Sequence, residues 1–142
     1  MVDTTVIATR LKKLDEYQRP LRQLQKVSPE EYLADDNLQT IVERKMQLSI
    51  QVCIDIANYV IAALGLRDPD ELENVFEILG QEGVLSTDLG QRMVGMVQFR
   101  NILVHDYLDI NPRIVHDNLT QGLADFDQFS QEIIARFLPQ SP

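Results

Sequence analysis

Cysteine is almost missing from this chain. Cys53 is the only one, so no intrachain disulfide can staple the fold. It lies in "QVCIDIANYVIAAL", among apolar neighbours. That setting predicts a buried small hydrophobe rather than a nucleophile. Such sparing use fits a reducing, cytoplasmic compartment. Histidine is scarce too, with only His105 and His116. Two histidines without a suitable Cys pair argue against a zinc site, and nothing in the sequence asks for a metal or another cofactor. Basic charge is also short. There are 13 Lys and Arg against 22 Asp and Glu, a net charge of −9, which counts against a broad electrostatic grip on nucleic acid. The apolar stretches fall short of the roughly 20 residues of a membrane span. "MVDTTVIATRLKK" lacks the basic start and apolar block of a secretory leader. The expectation is a soluble protein with no membrane role. No glycine loop cradles phosphate, since "LGQEG" and "LGQRMVG" fit neither the P-loop nor the dinucleotide pattern. Strand patterns, repeats and low-complexity segments are missing as well.

What remains is enough for one helical domain. The chain has 142 residues, 44% of them hydrophobic, so a single domain over 1–142 can bury a core unaided. Charge is uneven along it. Residues 10–26 carry Arg10, Lys12, Lys13, Arg19, Arg22 and Lys26 against Asp15 and Glu16. Residues 68–88 carry Asp68, Asp70, Glu71, Glu73, Glu77, Glu82 and Asp88 with no basic residue. These are either faces for different partners or two solvated surfaces.

Helix punctuation is clear. A first helix is expected from about Thr5 to Lys26, with Val6, Leu14, Tyr17, Leu21 and Leu24 at helical spacing. "SPEEYL" offers Ser28 as N-cap, Pro29 behind it and Glu31 closing a capping box. A long helix follows from about Asn37 to a stop near Gly65, with Ile41, Leu48, Val52, Ile56 and Val60 as its core stripe. "DPDELENVFEILG" repeats the capping logic with Asp68, Pro69 and Glu71, and predicts a short helix ending at Gly80. "STDLGQRM" opens another near Ser86. The last is capped by Asn111 ahead of Pro112, with Val115, Leu119, Leu123, Phe126, Phe129, Ile133 and Phe137 inward. "PQSP", residues 139–142, reads as a frayed tail. The sum is an all-α, antiparallel bundle of four to five helices.

One segment is unusual. In "FRNILVHDYLDINP" an apolar run is bracketed by Arg100–Asn101 and His105–Asp106–Tyr107. Read as a helix, residues 89–105 are apolar nearly all round, so Arg100 and Asn101 are expected in or beside packed structure. A buried guanidinium then needs partners. Gln91, Gln98, Asn101 and His105 form a weaker polar seam, with Gly95 beside it. A glycine there is tolerable where another backbone comes close, even one from a second subunit. Asn101 and His105 share a face. Arg100 and His105 project about 140° apart on an ideal helix. They converge if the helix ends or bends near Val104, or if the arginine reaches round. Arg100 and Tyr107 align only if the helix continues. Histidine can move a proton near neutrality, arginine can fork onto a phosphate, and asparagine can orient either. That set suffices for metal-free RNA cleavage, in which the 2′-hydroxyl is the nucleophile. An Arg and a His five apart are also common by chance, and a structural role for His105 is open on this evidence alone.

"RNILVHDY" resembles the R-x4-6-H-x-Y signature of HepT-type toxins in the HEPN superfamily. Arg100, His105 and Tyr107 fill its fixed positions, and Asn101 matches the polar residue that follows the Arg. "ERKMQLSIQVCIDIANYVIAALGLRDP" and "FEILGQEGVLSTDLGQRMVGMVQFRNILVHDYLDI" look like the family's helices leading into that motif. The resemblance covers most of residues 37–137. It implies a five-helix HEPN-like domain that dimerises through the motif-bearing helices, bringing two motifs to one cleft. It implies a metal-independent endoribonuclease acting as the toxin of a type II toxin–antitoxin pair, cutting tRNA or mRNA. By carry-over, His105 does acid/base work, Arg100 holds the phosphate and its transition state, and Asn101 assists. Tyr107 is similar to the tyrosine that a cognate minimal nucleotidyltransferase antitoxin modifies with AMP, within a larger hetero-oligomer. The alternative is a non-catalytic helical partner or scaffold for such a transferase. Any RNA contact has to be local, and the basic first helix is a candidate. Asp106 could act on His105 or face solvent. Asp55 reads as a polar core contact, or else as a hydrogen-bond partner near the cleft. His116 reads as a surface or helix-packing residue.

Overall fold

A computed structural model describes residues 2–139. Seven helices appear among them, with no strand: α1 (Thr4–Leu24), α2 (Pro29–Leu33), α3 (Asp36–Leu64), α4 (Asn74–Gln81), α5 (Thr87–His105), α6 (Pro112–Gln121) and α7 (Leu123–Phe137). A single 3-10 turn, Tyr107–Asp109, links α5 to α6. The all-helical expectation is borne out, with α1, α3, α5 and the α6–α7 pair as the main members and α2 and α4 as short additions. Residues 140–142, most of the tail expected to fray, lie outside the described residues.

The caps explain the boundaries. Asp3, Ser28, Asp35, Ser86 and Asn111 each accept a backbone N–H from the helix that they open, satisfying donors that have no partner within the helix. α3 ends where Gly65 turns left-handed at φ 67°, a conformation that costs glycine little. There Leu66 N–H reaches Ile61 O and Gly65 N–H reaches Ala62 O, which closes the helix end.

Two boundaries and the core stripes differ from expectation. Asp68 and Pro69 do not start α4. Asn74 Oδ1 accepts the Glu71 N–H at 2.9 Å instead, holding residues 71–74 in a turn, and the helix begins at Asn74. The last helix is two, broken at Gly122. A Cβ there would meet Asn118 O at 2.6 Å, so only glycine permits this approach and α7 can leave at a new angle. The core stripes are also offset. Ile41 is 47% exposed, and Leu48 and Val52 are only half-buried. Val42, Met46, Ile50, Cys53, Ile54 and Ala57 take the inward positions, with Ile56 and Val60 as expected. In α1, Ile7, Leu11, Leu14 and Leu21 are buried, whereas Val6, Tyr17 and Leu24 lie on the margin.

α3 is the hub, packing against α1, α2, α4, α5 and α6. It is also the one described helix long and apolar enough to cross a membrane, contrary to the length read from the sequence. Half of its most apolar window is buried inside the bundle, as in a core helix. Cys53 is fully buried here, and burial pushes its thiol pKa up. A buried polar pair joins α3 to α1, with Gln18 Nε2 donating to Ser49 Oγ at 2.9 Å. His116 is buried and packs two elements together, as expected. Its Nε2 lies 2.9 Å from Val27 O, and its ring tilts against Tyr32.

The start of α5 is clamped from α7. Glu132 accepts from the Ser86 backbone N–H at 2.6 Å and from Ser86 Oγ at 3.1 Å. Burial pushes the Glu132 pKa up, but the bonds from Ser86 and Gln128 outweigh it and hold the carboxyl below its usual value. A depressed carboxylate pKa contributes stability that is present above the unfolded pKa of about 4.3 and is lost as pH falls through the folded value. Glu132→Gln should therefore cost about 1–2 kcal/mol at pH 7, since the bonds lose their charge. The gap to the parent should close toward pH 3. Urea unfolding at both pH values checks this, and a pH-independent gap contradicts it.

Candidate functional site

α5 delivers the residues of interest to its C-terminal turn. Leu89, Met93, Met96, Val97, Phe99 and Leu103 are buried, which fixes the rotation of the helix about its axis. Arg100 and Asn101 then fall at the margin of the core, both half-buried. Both find partners, as a half-buried guanidinium must. Arg100 Nη1 donates to Asn101 Oδ1 at 3.1 Å and Nη2 donates to Gln51 Oε1 on α3 at 3.1 Å. Gln51 Nε2 donates in turn to Asp55 Oδ1 at 2.9 Å. On the other side Asn101 Nδ2 reaches Glu73 Oε1, just ahead of α4, at 3.4 Å. Five polar residues from three parts of the chain thus form one line: Asp55, Gln51, Arg100, Asn101, Glu73. Arg100 Nε is buried and has no hydrogen-bond partner among the described residues.

His105 is the last residue of α5 and is exposed. The helix stays regular to that point and stops one residue after Val104, with the Asp106 N–H reaching Ile102 O at 2.9 Å. Asn101 lies one turn before His105 on the same face. Because Arg100 bonds to the Asn101 side chain, its guanidinium is drawn round toward that face. The guanidinium thus has a bonded partner on the face that carries His105, and a second one, Gln51, on α3. Tyr107 does not continue α5. It begins the 3-10 turn and is 67% exposed, with Leu108 after it at 82%. The alignment of Arg100 with Tyr107 on a continued helix does not occur. Asp106 faces solvent.

Two participants were not foreseen. Gln51 and Glu73 carry no motif, and their contact with Arg100 and Asn101 is made across elements, where helical spacing gives no signal. Asp55 is exposed rather than a core contact. It joins the site's edge through Gln51, which was the second of its two readings. Elsewhere, part of the basic charge of α1 is offset locally. Asp15 takes Arg19 and Arg22, each at 2.8 Å, and the Arg22 and Arg19 guanidinium groups hold its carboxyl below the usual range. The polar seam on α5 is open. Gln91, Gly95 and Gln98 are exposed, and a Cβ on Gly95 would meet nothing within 4 Å. No other backbone among the described residues explains that glycine. Grooves beside α5 run along Thr87–Val94 against α4 and around Arg92–Met96 against the α6–α7 junction, and neither includes Arg100 or His105. Among the described residues, no three His, Cys, Asp or Glu side chains cluster to hold a metal ion.

An all-helical bundle with Arg-Asn and a free His at the end of its motif helix defines a HEPN-type domain. The chain belongs to the HepT-like ribonuclease family, whose description, Ribonuclease HepT-like, matches residues 7–133. It is 32% identical over 127 residues to the mRNA nuclease HepT of Shewanella oneidensis, covering 88% of this chain and 96% of that one. It is 28% identical over 132 residues to the tRNA nuclease HepT of Aphanizomenon flos-aquae, covering 93% and 90%. Among solved structures, the tri-AMPylated Shewanella oneidensis HEPN toxin in complex with MNT antitoxin superposes with a TM-score of 0.84 at 30% identity, over 95% of this chain and 99% of that one. A toxin–antitoxin complex with AMP-PNP gives 0.85 at 28% identity, over 92% and 98%.

Proposed function

We propose that this chain is the toxin of a toxin–antitoxin pair: a homodimeric, metal-independent endoribonuclease silenced by a minimal nucleotidyltransferase that attaches AMP to Tyr107. The observation that carries the reading is the Arg100 guanidinium, turned onto the Asn101 side of α5, where His105 stands one turn on. In the cleavage step the 2′-oxygen attacks phosphorus and the P–O5′ bond breaks, leaving a 2′,3′-cyclic phosphate and a 5′-hydroxyl. His105 exchanges the proton. Arg100 offsets the charge that builds on the phosphorane oxygens, and Asn101 holds Arg100 in line. A dimer through the exposed α5 seam, where Gly95 admits a close backbone, sets two such motifs at one cleft and supplies one imidazole as base and one as acid. The names of the relatives, an mRNA nuclease and a tRNA nuclease, support mRNA or tRNA as the substrate class. The single unpaired thiol, buried at Cys53, suits the cytoplasm.

Purified protein should cut RNA at the same rate with EDTA as without it, and the products should carry 2′,3′-cyclic phosphate ends. Loss of cleavage in chelator, restored by a divalent cation, would overturn the metal-independent step. A protein that binds the transferase but never cuts RNA would support the scaffold reading instead.

A further inference from the structure

The geometry points to Gln51 as a positioning residue for Arg100: a neutral oxygen that holds the guanidinium without cancelling its charge, with Asp55 behind it fixing which way the amide faces. The inference rests on the proposed role of Arg100 at phosphate. Gln51 lies between a group that only donates and a group that, ionised, only accepts. With its oxygen on Arg100 Nη2 and its nitrogen on Asp55 Oδ1, both contacts are satisfied, at 3.1 and 2.9 Å. Turned the other way, donor would face donor and oxygen would face carboxylate. Amide orientation is therefore set by the neighbours rather than free to flip.

The order of the three groups has a consequence for chemistry. A carboxylate at position 51 would pair with Arg100 in a charge-assisted bond, which an incoming phosphate would have to break. The sequence places its acid four residues further along α3, at exposed Asp55, so the negative charge reaches Arg100 only through an amide. Asn101 supplies the second holding oxygen and is also neutral. The fork is thus aimed by two amides, keeps its full charge, and has donors to spare.

The double variant Gln51→Glu, Asp55→Asn tests this. It keeps the donor and acceptor pattern, with the amide introduced at position 55 donating to the carboxylate introduced at position 51, while it puts a negative charge directly on Arg100. It should melt at or above the parent temperature, because an ion pair replaces a bond in which only the guanidinium is charged. Its kcat on RNA should fall roughly ten- to a hundredfold, as when a transition-state donor is withdrawn. In a His105→Ala background, the slope of log K for RNA against log salt should shrink by about 0.7, the value of one single-strand phosphate contact. A merely structural residue would not change that slope. Gln51→Met removes the holding oxygen at similar volume and should lower kcat more than it changes KM. Arg100→Ala is run beside them. If it cuts RNA at the parent rate, the reading of the site fails. If it is inactive while the Gln51 variants keep parental kcat and salt slope, the positioning role fails and the site reading stands.

Discussion

His105→Ala should leave a folded protein whose RNA cleavage falls by roughly 10²–10⁴-fold, the usual worth of a positioned acid or base. The variant separates chemistry from folding unusually well here. His105 is exposed on the last turn of α5, so its removal should change stability by no more than about 0.5 kcal/mol. Arg100→Ala is a coarser probe. It strips partners from Gln51 and Asn101, both half-buried, and so is expected to lower stability along with activity. If the two side chains act on one phosphodiester, the double variant should cut RNA little more slowly than the worse single one, since groups acting as a unit lose their effect together. Single-turnover cleavage beside thermal melts decides the matter. Parental cleavage by His105→Ala would remove the imidazole from the mechanism. Multiplying losses in the double variant would mean that the two residues act independently.

The site helix was legible because its signals were local. Ser86 caps one end, Asn111 with Pro112 restarts the chain after the other, and the apolar density between them forces Arg100 and Asn101 to the core margin. What surrounds the motif was not legible. Gln51 meets Arg100 across 49 residues, and Glu73 meets Asn101 across 28. No spacing rule within one helix reports such pairs. The offset stripe of α3 has a related cause. A helix that meets five neighbours at different points along its length buries different sides in turn, so a single line of apolar residues underdetermines which side faces in. Ile41 fitted that line and is exposed. Gln18 and Ser49 broke the pattern and are buried, with Gln18 Nε2 donating to Ser49 Oγ and that hydroxyl donating to Lys45 O. α4 starts late for a different reason. The side chain of Asn74 captures a backbone N–H that a helix begun at Asp68 would have needed.

Coexpression with a cognate nucleotidyltransferase and ATP should raise the intact mass of the protein by one or more AMP units, with the first on Tyr107, and should abolish RNA cleavage. The acceptor is well placed for this. Its ring is 67% exposed in a one-turn helix two residues past His105, so an enzyme can reach the hydroxyl without opening the fold. In the transfer Tyr107 Oη attacks the α-phosphorus of ATP and pyrophosphate leaves. The new phosphodiester puts a permanent negative charge beside Asp106 and Asp109, on a chain whose net charge is already −9. At about 4 Å such a charge repels a substrate phosphate by roughly 1 kcal/mol in bulk water and about 4 kcal/mol at an effective dielectric of 20. At the higher of these values the repulsion should weaken RNA binding tenfold or more, by the rule that about 1.4 kcal/mol is a factor of ten. The adenosine, attached two residues past His105, should add bulk that hinders the strand. Tyr107→Phe removes only an exposed hydroxyl, so it should cut RNA at the parent rate and stay active in the presence of the transferase. A mass gain that persists in Tyr107→Phe would move the acceptor elsewhere. Modified protein that still cuts RNA would show that the charge and bulk at Tyr107 lie outside the path of the substrate.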